Sequence, residues 1–188
     1  RQRAAIQEQG LTGSPGDRPP HLLMMSATPI PRTLALSVFG DLDISVIRTM
    51  PPGRKPVITH LARRGNEQKV YDFIRRELDS GRQAYVVYPL IDQADAVELK
   101  SATEMYDRLR GSVFPGISCA IVHSRVGEED QRAIMEGFRK GDIRILVATS
   151  VVEVGVDVAN ATCMTIEHAE RFGLSALHQL RGRVGRGE

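Results

Sequence analysis

The side chains best equipped for chemistry fall in three strings. The densest runs from Gln179 to Gly187, where Arg181, Arg183 and Arg186 alternate with Gly182, Gly185 and Gly187. A guanidinium is a planar fork of donors suited to phosphate oxygens, and glycine lets a backbone come close to a ligand, so the pattern points to a phosphate-bearing ligand. In the second string, Thr149 and Ser150 are followed by Glu153, Gly155 and Asp157. Hydroxyls and backbone amides on a glycine-permitted turn suit a nucleic-acid backbone. The third, His123, Ser124 and Arg125, follows an apolar run and sets three polar side chains at its end.

Other chemistries find no support. A Walker phosphate loop needs a Gly-Lys pair, and none of Lys55, Lys69, Lys100 and Lys140 follows glycine. No G-x-G-x-x-G follows a strand; Gly182 to Gly187 has the wrong spacing for a dinucleotide fold. Asp92 stands after an apolar run without a second acid to help it hold magnesium. Cys119 and Cys163 lack the spacing of a disulfide framework or a zinc site and read as reduced core thiols. No metal site is expected on this chain.

These strings need a scaffold, and the alternation of apolar runs with amphipathic stretches predicts an α/β fold, a parallel sheet with helices on both faces. The strand candidates are His21–Ser26, Val57–Leu61, Ala84–Tyr88, Ile117–Val122, Ile143–Ala148 and Cys163–Glu167. Such short continuous apolar runs fit strands covered on both sides. Val70, Phe73, Ile74 and Leu78 fall at helical spacing, as do Ile134, Met135 and Phe138, with Asn66 and the turn from Gly127 to Asp130 as helix starts. His123 and Thr149 then lie at the carboxyl edge of the sheet, where open α/β folds bind ligands.

Gly13 to Gly16 and Pro19-Pro20 read as an exposed loop, and the proline-rich segment from Pro51 to Pro56 as a linker, since neither helix nor central strand tolerates it. The 188 residues thus divide into 1–50, short for a domain, the linker 51–56, and an α/β unit at 57–188. Hydrophobic residues at 41% and charged residues at 26% are those of an ordinary globular protein. The net charge of +2 does not announce a nucleic-acid binder, although all but four of the 25 basic residues are arginine. No run is long and apolar enough to span a membrane and no signal peptide opens the chain, so a cytoplasmic location without membrane contact is expected. An arginine at position 1 in place of methionine leads to the expectation of a piece excised from a longer protein.

Taken together the strings resemble the superfamily 2 helicases. Ser26 to Thr33 resembles motif III, Ala148 to Val158 motif V, and Gln179, Gly182, Arg183 and Arg186 stand at the QxxGRxxR positions of motif VI. The text at Gly40 to Pro56 and Ile166 to Glu188 is more similar to the bacterial branch that remodels stalled forks and recombination junctions than to the transcription-repair coupling branch, the alternative reading. Ser124 departs from the usual glycine and His168 from the common asparagine.

The resemblance implies the second of two RecA-like motor lobes, preceded by a C-terminal remnant of the first. ATP with Mg2+ would be held mainly by Walker residues absent from this sequence, with Glu153, Gly155, Asp157 and Gly182 on the nucleotide side. Gln179, Arg183 and Arg186 would serve catalysis, the arginines reaching the triphosphate. Thr149, Ser150, His123, Ser124 and Arg125 would touch the DNA backbone, and Ser26 and Thr28 would couple the lobes. Partners implied are branched or forked duplex DNA, the first lobe and a wedge domain; alone, this stretch should not hydrolyse ATP. A freestanding, non-catalytic nucleic-acid-binding module is the competing reading, and a small-molecule enzyme on a Rossmann-like sheet is disfavoured for want of a cofactor loop or catalytic dyad.

Overall fold

A computed structural model describes residues 23, 25, 45–47, 49, 56–89, 95–149 and 158–185. The chain divides into the units Arg1–Ile44 and Ser45–Glu188, and every described helix and strand lies in the second. In chain order these are α1 (Glu67–Asp79), β1 (Gln83–Val87), α2 (Asp95–Arg108), β2 (Cys119–Val122), α3 (Glu128–Lys140), β3 (Ile145–Ala148), β4 (Ala161–Ile166) and α4 (Leu174–Arg181).

The strands form one four-stranded sheet in the order β2-β3-β1-β4, and every pairing is parallel. β1 and β3 are central and buried along their whole length, which is why they read as unbroken apolar runs. Alternate side chains feed two cores. On one face Ala84, Val86, Tyr88, Ile145, Val147 and Cys163 pack against Tyr71, Ile74 and Leu78 of α1 and Ala102 of α2. On the other, Tyr85, Val87, Leu146 and Ala148 meet Met135 and Phe138 of α3 and Leu180 of α4. The result is the expected layered α/β fold.

β4 carries one extra residue. Gln83 pairs with Ala161 but Ala84 with Cys163, so Thr162 is bulged and Ala161 and Cys163 serve opposite cores. The freed Thr162 hydroxyl donates to Glu77 Oε2 of α1 at 2.5 Å. Gln83, fully buried, closes the amino edge: its Nε2 donates to Ile143 O at 2.7 Å and Phe138 O at 2.5 Å, and its Oε1 accepts from Asn160 Nδ2 at 3.1 Å.

Helix limits follow their ends. α3 begins with Glu128, Glu129 and Asp130 and ends with Arg139 and Lys140, matching its dipole. Gly141 then turns left-handed at φ 90° and its N–H bonds to Phe138 O at 3.2 Å. α1 starts after Asn66, as expected, yet that side chain makes no cap; its carbonyl serves Lys69 N–H at 3.1 Å. α2 runs into a π-helical turn, Leu109–Val113, closed by Phe114 N–H to Leu109 O at 2.7 Å. That turn helps bury Phe114, which meets Tyr71 edge-on at 6.1 Å between centroids.

Several expectations are corrected. Val57–Leu61 is not a strand: only Val57 packs on the core, Ile58 and Leu61 are exposed, and strand-like residue types without a hydrogen-bonded neighbour make no ladder. Phe73 does not belong to the buried stripe of α1, being 47% exposed; Tyr71 takes that place. The strands at Ile117–Val122 and Ile143–Ala148 begin two residues later than expected, β1 is shifted back by one, and β4 begins at Ala161. Helices α2 and α4 add to the elements expected from sequence. Most of the expected strand His21–Ser26, the loop at Gly13–Gly16 and most of the linker at 51–56 lie outside the described residues.

Candidate functional site

The register brings the strand ends level, Val122 beside Ala148, Ala148 beside Val87, and Val87 beside Ile166. The next residue of each strand therefore stands on one carboxyl edge: His123, Thr149, Tyr88 and Glu167. Three further backbone bonds hold that row, Thr149 N–H to Val122 O at 3.2 Å, Tyr88 N–H to Ala148 O at 2.9 Å and Glu167 N–H to Val87 O at 2.9 Å. His123 and Thr149, far apart in sequence, are thus adjacent because β2 and β3 are neighbours.

The Thr149 side chain is buried, and its hydroxyl has no hydrogen-bond partner among the described residues. A buried hydroxyl left without a partner is costly and signals a group waiting for a ligand, a water or a neighbouring loop. His123 is partly buried while Ser124 and Arg125 are exposed. Burial of the ring, reinforced by the positive Arg125, pushes its pKa below the usual histidine range, so the ring is predominantly neutral near pH 7. Arg125 N–H donates to His123 Nδ1 at 3.2 Å and Val126 N–H to His123 O at 3.1 Å, which makes the loop a closed turn.

On the edge beyond β1 and β4, Tyr88 and Glu167 stand side by side. Burial, then the neighbouring Glu167 carboxylate, raises the Tyr88 phenol well above its usual range. Burial likewise raises the Glu167 carboxyl, with Glu67 adding to the rise and His168 and Arg108 opposing it. Neither residue stands out in the sequence, where a tyrosine before proline and a glutamate before histidine carry no motif.

The arginine string lies at the end of α4. Leu180 and Val184 are its buried anchors, packed into the core shared with α3. Between them Gly182 N–H bonds to His178 O at 3.1 Å and Arg183 N–H to Leu180 O at 2.9 Å, which ends the helix, and Gly185 takes a left-handed φ of 73°. Gln179, Gly182 and Arg183 are all partly buried, and Arg181 is exposed. The spacing of leucine and valine thus fixes this stretch to the core while leaving Arg181 exposed and Arg183 partly covered. Ser26, Thr28, Ser150, Glu153, Gly155, Asp157 and Arg186 lie outside the described residues, as does Asp92. Among the described residues no three metal-ligating side chains come together, and no helix is long and apolar enough to cross a membrane.

The described structure is thus a parallel sheet with helices on both faces, polar loops at its carboxyl edge and the start of a glycine-spaced arginine string at the end of α4. The sequence matches the helicase conserved C-terminal domain over residues 66–188, and the chain belongs to that family. It is similar throughout to proteins named ATP-dependent DNA helicase RecG. Identity is 59% over 187 residues with that of Treponema pallidum (strain Nichols), covering 100% of this chain and 27% of the relative. With that of Thermotoga maritima (strain ATCC 43589 / DSM 3109 / JCM 10099 / NBRC 100826 / MSB8) it is 52% over 165 residues, 88% of this chain and 21% of the relative. The solved structure of RecG bound to a three-way DNA junction superposes with a TM-score of 0.70 at 51% identity, over 87% of this chain and 21% of that one. The chain spans about a quarter of the length of the curated relatives it matches.

Proposed function

We propose that this chain is the second motor lobe, residues 57–188, with the end of the first lobe at 1–50 and a linker at 51–56, of an ATP-dependent duplex-DNA helicase of the RecG type. It acts in the cytoplasm on stalled forks and recombination junctions. The observation that carries the reading is the string from Gln179 to Arg186, anchored by buried Leu180 and Val184 at the end of α4 and set in a chain 59% identical to a RecG over its full length.

The first lobe would hold most of ATP with Mg2+, whose γ-phosphoryl group, transferred to water, would supply the free energy for movement. This chain contributes Arg183 and Arg186, whose guanidinium charge stabilises the γ-phosphoryl oxygens as negative charge spreads over them. Gln179 would serve catalysis with them, and Glu153, Gly155, Asp157 and Gly182 would belong to the nucleotide site. His123, Ser124, Arg125 and Thr149 at the sheet edge, together with Ser150, would touch the DNA backbone, while Ser26 and Thr28 would couple the lobes. Recognition of branch shape belongs to a wedge domain elsewhere in the protein.

The test is DNA-stimulated ATP hydrolysis by the full-length protein and by its Arg183→Ala and Arg186→Ala variants. Each substitution is expected to lower kcat about a thousandfold or more, the range for arginine fingers. Undiminished hydrolysis in either variant removes that arginine from catalysis.

A further inference from the structure

Gln131 belongs to none of the motif strings. It sits in the second turn of α3, and its side chain folds back over the loop that precedes the helix. One amide nitrogen serves two carbonyls, Nε2 donating to Val126 O at 2.7 Å and to His123 O at 3.3 Å. These carbonyls belong to the first and last residues of the turn that Val126 N–H to His123 O closes at 3.1 Å. Gln131 therefore staples the two ends of the loop to a helix whose own position is fixed by buried Met135 and Phe138.

Inside the staple, the Arg125 amide N–H points at His123 Nδ1 at 3.2 Å. A backbone N–H can only donate, so Nδ1 offers its lone pair and the neutral ring carries its proton on Nε2. The imidazolium would set two donors against each other at that contact. Nε2 has no partner among the described residues, and Arg125 is exposed beside it. The first turn of α3 adds no attraction for an anion, because Glu128, Glu129 and Asp130 occupy it. The pull on a phosphate at this loop then comes from the ring N–H and the guanidinium, with the exposed Ser124 hydroxyl as a further donor.

We propose that Gln131 is a positioning residue that, together with the Arg125 backbone amide, holds His123 as the Nε2–H tautomer, so that the loop from His123 to Arg125 presents a DNA phosphate with a ring N–H and a guanidinium in fixed relation. The proposal rests on the reading of this loop as a DNA-backbone contact. A donor fixed before binding loses little freedom when the phosphate arrives, which is where a staple without any DNA contact of its own gains affinity.

The experiment measures binding of a fluorescent three-way DNA junction to the full-length protein by anisotropy, beside ¹⁵N spectra of its histidines with His123 assigned by difference from His123→Ala. Gln131→Leu is expected to weaken junction binding about three- to tenfold, the loss of one to two hydrogen bonds' worth of order. Gln131→Lys, which keeps a donor at the end of a flexible stem, is expected to recover most of it. In the unsubstituted protein at neutral pH the spectrum is expected to show a bare Nδ1 and a protonated Nε2. Should Gln131→Leu destabilise α3, the Gln131→Lys variant and the spectrum still decide the matter. If His123→Ala and Arg125→Ala weaken binding while Gln131→Leu leaves it unchanged, the positioning role is wrong and the DNA contact stands. If His123→Ala and Arg125→Ala bind the junction as well as the unsubstituted protein, the DNA reading of the loop itself fails. A proton on Nδ1, whatever the affinities, overturns the tautomer.

Discussion

His168 shows what a single residue can reveal. It adopts φ 50° and ψ 47°, the left-handed region, at the turn between β4 and a 3-10 turn, Ala169–Arg171. Side chains other than glycine, asparagine and aspartate are strained there, and histidine is among the more tolerant of the rest. His168→Val is expected to lower stability by about 1–2 kcal/mol, and His168→Asn to leave it unchanged or raise it; thermal unfolding of the two variants checks this. Equal melting temperatures would show that the turn relaxes.

Two carboxyls give opposite pH dependences at the same scale. For Glu77 burial raises the pKa, but hydrogen bonds from Thr162 and Arg82 and the positive charge of Arg82 outweigh it, and the net shift is downward from 4.5. The stability it contributes is present above its unfolded pKa and is lost as pH falls through the folded value. Glu167 is shifted upward, chiefly by burial, so its contribution is full at acid pH and is lost as pH rises through the folded value. Urea unfolding followed from acid to neutral pH is expected to show a weaker acid loss in Glu77→Gln. Glu167→Gln is expected to be more stable than the parent near neutrality, and a less stable Glu167→Gln would mean the carboxylate has a favourable partner.

Among elements, β1 carries the most. It lies between β3 and β4, its side chains enter both cores, and its first residue ties the amino edge together. Gln83→Leu would take a donor from the Ile143 and Phe138 carbonyls, Phe138 O keeping the Gly141 N–H and the exposed Asn160 amide keeping Gly81 O. A buried group that loses its partner costs about 1–3 kcal/mol before relaxation, so denaturant unfolding is expected to show a loss of about that size. A neutral outcome would mean that water enters the edge and replaces the amide. Two helices are hard to see in the sequence at this scale. α2 and the π turn bury Ala102 and Leu109 with Met105 partly covered, and α4 buries Leu180 with Val184 following. Apolar spacings of three and four are present in both, but α4 lies beneath an arginine string whose residue types speak first of a ligand, and α2 lacks a strong apolar stripe.

At the scale of the whole molecule, the proposed contacts are to phosphates and not to base edges. Junction binding by the full-length protein is therefore expected to fall steeply with added salt, with a log–log slope of about −0.9 for each phosphate neutralised, and to vary little with base sequence. Arg125→Ala should reduce that slope by about one. A salt-insensitive affinity, or a strong preference for one sequence among junctions of the same shape, would contradict backbone recognition.

The sequence by itself determined the class of fold and picked out the strings in which the proposed chemistry lies. Apolar runs at β1 and β3 are legible because a strand covered on both faces tolerates little else, and the arginine and glycine spacing after Gln179 is legible because those residue types suit a phosphate-bearing ligand. The tertiary structure decided what periodicity cannot express. Strand order placed Thr149 beside His123; a one-residue bulge sent Ala161 and Cys163 to different cores; Val57–Leu61, strand-like in composition, found no neighbour among the described residues; and Gln131, a polar residue in an amphipathic helix, became a staple. Each of these depends on which segments meet in space, and a pairing energy is written in both partners at once and not in the local sequence of either.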